Sequence, residues 1–319
     1  MNLGPGKEFD RIRGIIERIA EVTGDGTDLG DDCALLPVGS TTLALSIDNS
    51  LENVHFRTDW LDLKEIGFRA AGSALSDLAA EGARPLGALV SLGIPGDGKN
   101  TADAADIMAG VASMLRNVDA KVLGGDLTRA PQYSIDVCVI GEAARPVRRS
   151  GAREGDGVWV TGYLGGAGLA LEQFRAGKKM STALRNRYAC PEPRIQAGLW
   201  LADHGATAMI DISDGLAADA QHLAAASEVG IEINLEHIPC WEDVTALAAV
   251  ASGEEFELLC TMPPTFGDAS VSAFRSETGL QLSRIGTCMR GAGGRRGGVR
   301  LLEHSKPVPL PAGYDHFSR

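Results

Sequence analysis

Several aspartates in this 319-residue sequence sit directly after apolar runs. Asp48 follows Leu43-Ala44-Leu45-Ser46-Ile47, Asp126 follows Val122-Leu123-Gly124-Gly125, and Asp211 and Asp214 follow Ala208-Met209-Ile210; the pair Asp31-Asp32 joins them. A carboxylate at a strand terminus is anchored by the sheet yet points into a cleft, where ligands of α/β domains collect. Dispersed carboxylates suit Mg²⁺, which takes oxygen ligands in octahedral geometry, keeps several waters and completes its shell with substrate phosphates. The spacing of a calcium loop is absent, as are the His and Cys clusters of a zinc site. Singly, each aspartate reads equally well as a turn or capping residue, and Asp211 or Ser213 ahead of Gly215-Leu216 could be only an N-cap. Asp77 lies in a helical stretch of small residues, Ala70 to Ala80, where an acid either faces water or needs a partner.

Gly162-Tyr163-Leu164-Gly165-Gly166-Ala167-Gly168 follows an apolar run and opens a helical pattern, so its N–H groups could cradle an anion. It lacks the Gly-Lys-Ser/Thr of a Walker A loop and no protein-kinase motif set follows, so an ordinary tight turn explains it equally well. Arg129 and Arg149 could each grip a phosphate in bidentate fashion, although solvated surface arginine is the commoner case.

The bulk composition is that of a globular enzyme of about two domains. Apolar residues make up 44% and charged residues 23%. The formal charge of −12 repels nucleic-acid backbones, so no nucleic-acid partner is expected, whereas a nucleotide bound through cations is compatible with it. The charged first twenty residues do not read as a secretory signal and no segment reaches membrane-spanning length, so no membrane partner is expected. Six scattered cysteines without a Cys-x-x-Cys pair suggest reduced side chains and a cytoplasmic location.

The elements that would position these residues alternate, which predicts an α/β fold. In the first part strands are expected at 41–47, 86–94, 121–123 and 134–140, with helices at 8–22, 64–80 and 102–117. The polar stretch 142–157 breaks the pattern and predicts the boundary between domains 1–145 and 146–319. Beyond it strands are expected at 158–161, 208–212, 231–235, 256–262 and 282–286, and helices at 168–175, 193–203, 216–227 and 241–251. The Gly- and Arg-rich run 290–300 reads as a surface hairpin rather than an RNA-binding tail in so acidic a chain.

At this point an ordered set of short motifs becomes recognisable. It comprises Leu29-Gly30-Asp31-Asp32-Cys33-Ala34, Ser46-Ile47-Asp48 with Val54-His55-Phe56, Leu75-Ser76-Asp77-Leu78-Ala79-Ala80, and Gly124-Gly125-Asp126-Leu127-Thr128-Arg129. Arg149-Ser150-Gly151-Ala152, Ile210-Asp211-Ile212-Ser213-Asp214-Gly215-Leu216 and Gly313-Tyr314-Asp315-His316-Phe317 complete it. The set resembles the thiamine-monophosphate kinase family of the aminoimidazole ribonucleotide synthetase superfamily. The resemblance implies a two-domain fold of that type, an N-terminal sheet that pairs across a homodimer, and a C-terminal α/β domain. It implies ATP- and Mg²⁺-dependent phosphorylation of thiamine monophosphate by in-line transfer without a phosphoenzyme. Asp32, Ser46, Asp48, Asp77, Asp126, Asp211 and Asp214 would bind several Mg²⁺ ions, with Asp126, Asp211 and Asp214 central to catalysis. Gly125, Asp126, Arg149 and Ser213 would contact ATP, and His55, Glu254 and Tyr314 the thiamine phosphate.

Some positions depart from the family pattern. Ile47 stands for the usual threonine, Ala74 for an asparagine, Glu81 for an apolar residue, and Ser252-Gly253-Glu254-Glu255-Phe256-Glu257 for Gly-Gly-Glu-Asp-Tyr-Glu. They leave two rivals: a related ATP-dependent enzyme acting on another phosphorylated small molecule, and a non-catalytic nucleotide-binding dimer.

Overall fold

The computed structural model describes residues 2–24, 29–96, 102–291 and 298–317. The first part runs α1 (Lys7–Thr23), β1 (Ala34–Val38), β2 (Thr41–Leu51), α2 (Leu63–Ala80), β3 (Arg84–Pro95), α3 (Asp103–Asn117), β4 (Lys121–Ala130) and β5 (Ser134–Glu142). Its five strands form one sheet in the order β1-β2-β5-β3-β4, antiparallel except for the pair β3 and β4. Strand β5 shows why the sheet has two unlike faces. Ile135, Val137 and Val139 are fully buried toward the helices, while Ser134, Asp136, Cys138 and Ile140 alternate with them toward the other side. Ile47 and Leu89 both pair with Cys138 and therefore share this outer face, 69% and 43% exposed.

The second part runs β6 (Gly157–Thr161), α4 (Gly166–Arg175), α5 (Thr182–Ala189), α6 (Ile195–Asp203), β7 (Ala208–Asp211), α7 (Leu216–Ser227), β8 (Gly230–Asn234), α8 (Ala246–Ala251), β9 (Leu258–Met262), α9 (Asp268–Thr278), β10 (Leu282–Met289), β11 (Val299–Glu303) and β12 (Lys306–Val308). The seven strands order as β12-β11-β8-β10-β6-β9-β7, with β8 and β11 parallel. Strands β6, β7 and β9 are buried along their whole length, as expected of a sheet covered on both faces. Val158, Val160, Ile210 and Leu259 join a core with Leu216, Ala220 and Leu223 of α7. Trp159, Met209, Cys260 and Met262 join the opposite core with Trp200 of α6 and Phe274 of α9.

That second core also contains Leu75 and Leu78 of α2, so α2 lies between the two sheets. Its small residues make this possible. A Cβ on Gly67 would lie 1.9 Å from the Ile107 carbonyl oxygen of α3, and one on Gly198 of α6 would lie 2.0 Å from the Ala79 carbonyl oxygen. Both helices thus approach α2 at backbone distance, which any larger residue would prevent. The start of α2 is fixed by a capping box between Asp62 and Glu65.

Some sequence-based boundaries are corrected. Asp48 and Asp126 lie inside β2 and β4 rather than beyond their ends, because the β2–β5 pairing runs on to Leu51 opposite Ser134 and the β3–β4 pairing to Ala130 opposite Pro95. Strand β4 passes its glycines through a register shift near Gly124, whose φ of 158° lies in the region glycine favours. Strands β1, β11 and β12 and helices α5 and α9 were not anticipated, and the helix expected at 241–251 is only α8. Most of the expected 290–300 hairpin, residues 292–297, lies outside the described residues.

Candidate active site

The burial of α2 between two sheets explains the site's central arrangement. Arg69, Ser73, Ser76 and Asp77 are polar residues at spacings of four, three and one in a helix that is otherwise small and apolar beyond its first turn, so they form one stripe. Each serine meets a carboxylate from another element. Ser76 donates to Asp211 Oδ2 at 2.7 Å and Ser73 donates to Asp48, while Ser46 of β2 donates to Asp77. Asp32, ahead of β1, accepts two bonds from the Arg149 guanidinium, at 2.9 and 3.1 Å.

Carboxylate oxygens of Asp32, Asp77 and Asp211 all lie within 4.8 Å of one another. Burial and then the neighbouring Asp211 and Asp32 hold Asp77 well above the usual carboxylate range. Burial and Asp32 push Asp211 up to about 7, and burial and Glu8 push Asp214 up to about 6. Two buried acids, Asp32 and Asp211, and the half-buried Asp77, with one guanidinium already paired with Asp32, form a site that favours a cation.

A cavity of about 810 Å³ opens beside this cluster, lined by Asp48, Asp77, Asp211, Ser213 and Asp214. Its other wall carries His55, Tyr188, Glu254, Tyr314 and His316. Glu254 is held in a left-handed backbone conformation, φ 60°, with Phe256 at φ 50°. Such conformations cost on the order of 1–3 kcal/mol each and persist where surrounding contacts impose them. Here the Glu254 N–H donates to the Ser213 carbonyl at 2.7 Å, and its carboxylate pairs with the buried Arg69, which stacks 4.0 Å over Tyr188.

The structure therefore gathers Asp48, Asp77, Asp211, Ser213, Asp214, His55, Glu254 and Tyr314 around one cavity, with Asp32, Ser46 and Arg149 bonded to one another or to its acids. Within one chain it does not bring Gly125 and Asp126 there. Asp126 pairs with Ser91, two residues from Leu89, so its side chain leaves edge strand β4 on the outer face. The glycine-rich turn is also not a free anion cradle. The N–H groups of Gly165 and Ala167 donate to the protein's own Glu255 carboxylate at 2.9 and 3.1 Å, and Gly168 donates to Ser252.

Sequence reasoning missed Arg69, Ser73, Ser76, Tyr188 and His316. The stripe on α2 was the available signal for the first three. Of the departures, Ile47 lines the cavity and Ala74 is fully buried. Glu81 is also fully buried with no hydrogen-bond partner on either oxygen among the described residues; burial and then Asp31 push it up to about 9, so it is held neutral. Because Ser76 donates to Asp211, Ser76→Ala is expected to weaken any divalent-cation binding at this acid cluster about 10- to 100-fold. A direct Mg²⁺-binding titration checks this, and an unchanged midpoint would show that the hydroxyl does not orient the carboxylate for a cation.

The fold and this acid-lined cavity define a class. Residues 30–143 match the family model of the AIR synthase related protein N-terminal domain and residues 153–297 that of its C-terminal domain. Within the class, the chain is 33% identical to the thiamine-monophosphate kinase of Salmonella typhimurium over 97% of this chain and 96% of the relative. It is 36% identical to that of Halobacterium salinarum, over 84% and 90%. The solved structure described as AaThiL complexed with AMPPCP and TMP superposes with a TM-score of 0.82 at 30% identity, covering 98% of this chain and 97% of the other. The chain belongs to the thiamine-monophosphate kinase family. The hydrogenase maturation protein HypE, at 19% identity and a TM-score of 0.73, shares the fold.

Proposed function

We propose that this protein is a kinase that transfers the γ-phosphoryl group of ATP to thiamine monophosphate, giving thiamine diphosphate and ADP. The carrying observation is the convergence of buried and half-buried carboxylates on one cavity in a chain matched over nearly its whole length by thiamine-monophosphate kinases. The structural relative named as a complex with AMPPCP and TMP supports an ATP-type nucleotide and the phosphorylated vitamin as the two ligands.

Two polyanions must meet, and like charges a few ångströms apart repel by several kcal/mol at intermediate dielectric. The donor set of hard carboxylate oxygens fits Mg²⁺, which when bound would supply positive charge against that repulsion. Asp32, Ser46, Asp48, Asp77, Asp126, Asp211 and Asp214 would hold several such ions; the serine hydroxyls keep the carboxylates aimed. Gly125, Asp126, Arg149 and Ser213 would position ATP, and His55, Glu254 and Tyr314 the acceptor. The attacking phosphate oxygen is already ionised, so no side chain has to remove a proton. The bond from the γ-phosphorus to its bridging oxygen breaks as the bond to the acceptor oxygen forms, in line, and catalysis is positioning with charge neutralisation.

The same reading includes a homodimer through the outer face of the five-stranded sheet. Leu36, Ile47 and Leu89 leave that face apolar and exposed, a liability that a symmetric partner would cover. The domain division is placed at 145/146, between β5 and β6. Among the described residues no helix is long and apolar enough to cross a membrane, and the six cysteines are all unpaired, which supports a reducing, cytoplasmic setting.

An assay coupling ADP release, run with and without thiamine monophosphate, tests the activity; ADP release indifferent to the acceptor would refute it. Labelled ATP should leave no phosphorylated protein. The metal reading has a pH signature. Asp211 rises from 3.8 to about 7 on folding, so the folded, metal-free protein binds protons more tightly than the unfolded chain. Its contribution to stability is present below about pH 4 and is lost as pH rises through about 7. Thermal melts should show metal-free stability falling across this window and Mg²⁺ removing most of the fall; identical profiles with and without Mg²⁺ would contradict it.

A further inference from the structure

We propose that His316 is a positioning residue that holds the Tyr314 hydroxyl as a hydrogen-bond donor toward the heterocycle of the acceptor and so sets specificity through it. This rests on the substrate reading above, and no role has so far been assigned to His316 in it.

The inference follows from a chain of contacts with a fixed direction. The Leu51 backbone N–H donates to His55 Nδ1 at 3.0 Å. A backbone N–H group can only donate, so the neutral His55 ring carries its proton on Nε2. That nitrogen faces His316 Nε2 at 3.4 Å, which must then be the acceptor. The proton of His316 is thereby placed on Nδ1, which faces Tyr314 Oη at 3.4 Å. The tyrosine oxygen accepts, and its own O–H is left to point into the cavity that all three side chains line. A backbone amide of β2 thus sets the polarity of a donor at the far wall.

The tail that carries His316 is pinned rather than loose. The Tyr314 N–H donates to the Asp214 carbonyl at 2.9 Å, Asp315 accepts from the Lys7 N–H at 2.7 Å, and Arg11 lies 4.2 Å over the Phe317 ring. The rings of His316 meet those of His55 and Tyr314 edge-on, with centroids 5.1 and 4.9 Å apart. The three rings therefore form an aromatic corner that presents the Tyr314 hydroxyl as a donor, beside the Glu254 carboxylate on the same wall. It suits a flat nitrogen heterocycle that presents an acceptor.

The test uses the full-length protein in steady-state kinetics with thiamine monophosphate and ATP varied separately. His316→Ala and His316→Phe are each expected to raise KM for thiamine monophosphate about tenfold while kcat and KM for ATP stay within about threefold. His316→Asn, which keeps an N–H near the Nδ1 position, is expected to recover most of the loss. Combining His316→Ala with Tyr314→Phe is expected to cost little more than Tyr314→Phe alone. A His316→Phe variant with wild-type KM, or losses that add in the double variant, would overturn the relay. Parallel loss of kcat and of both KM values would mark His316 as structural and also overturn it. Wild-type protein without acceptor-dependent ADP release would sink the substrate reading itself, a separate result.

Discussion

Asp211→Asn is expected to lower kcat by about 10³-fold or more while the protein stays folded, the scale seen when a charge partner of the phosphoryl-transfer transition state is removed. Asp211 is the last residue of β7, is 3% exposed, receives the Ser76 hydroxyl and lies within 4.8 Å of oxygens of both Asp32 and Asp77. Asparagine keeps the shape but removes the charge that a divalent ion needs. Because the aspartate is itself destabilised by burial and by Asp32, relief of that strain should leave the metal-free variant as stable as the parent or more so. Opposite signs for activity and thermal stability are the signature. Equal loss of both would mean that the residue is structural, and retained turnover would mean that the ions lie elsewhere.

Asp126→Asn is expected to abolish turnover as completely, although in one chain Asp126 lies on the outer face of an edge strand and away from the cavity. Both statements hold together only if a second copy carries Asp126 to the acids of the first. The outer face that would have to mate carries Asp126 beside exposed apolar residues, as a shared site would require. Mixing after partial unfolding and refolding distinguishes the cases. In a twofold dimer with shared sites, the Asp126→Asn and Asp211→Asn chains each supply what the other lacks, so one of the two sites in every mixed dimer is intact. With random pairing about a quarter of wild-type activity should return. No recovery in a mixture shown to contain mixed dimers would place Asp126 in the same-chain site or in none.

The elements whose burial is one-sided or complete were legible in the sequence. Strands β5 and β6 and helix α2 show the periodicities that their surroundings impose, and their boundaries fall close to expectation. What escaped has physical reasons. Helix α9 buries only Phe274 among its residues, and α5 only Tyr188 and Ala189, so neither carries an apolar stripe long enough to read. The Gly124-Gly125-Asp126 run mimics a turn, and only the pairing with β3 keeps it extended. Among site residues, the aspartates were visible because a charge after an apolar run is unusual. Ser73 and Ser76 were not, since a helical serine is ordinary until the helix proves to be enclosed on both sides. His316 was quoted within the terminal motif, yet only the fold shows that it bridges two other rings.

One helix, α2, has interior neighbours on both flanks. It is roof to one sheet and floor to the other, and it also carries the stripe that aims the acids. Neither half of the chain keeps a finished interior without it, so the two cannot be parted as beads on a string can. Heat or denaturant that loosens either sheet also strips cover from the other, and the catalytic apparatus is dismantled in the same step.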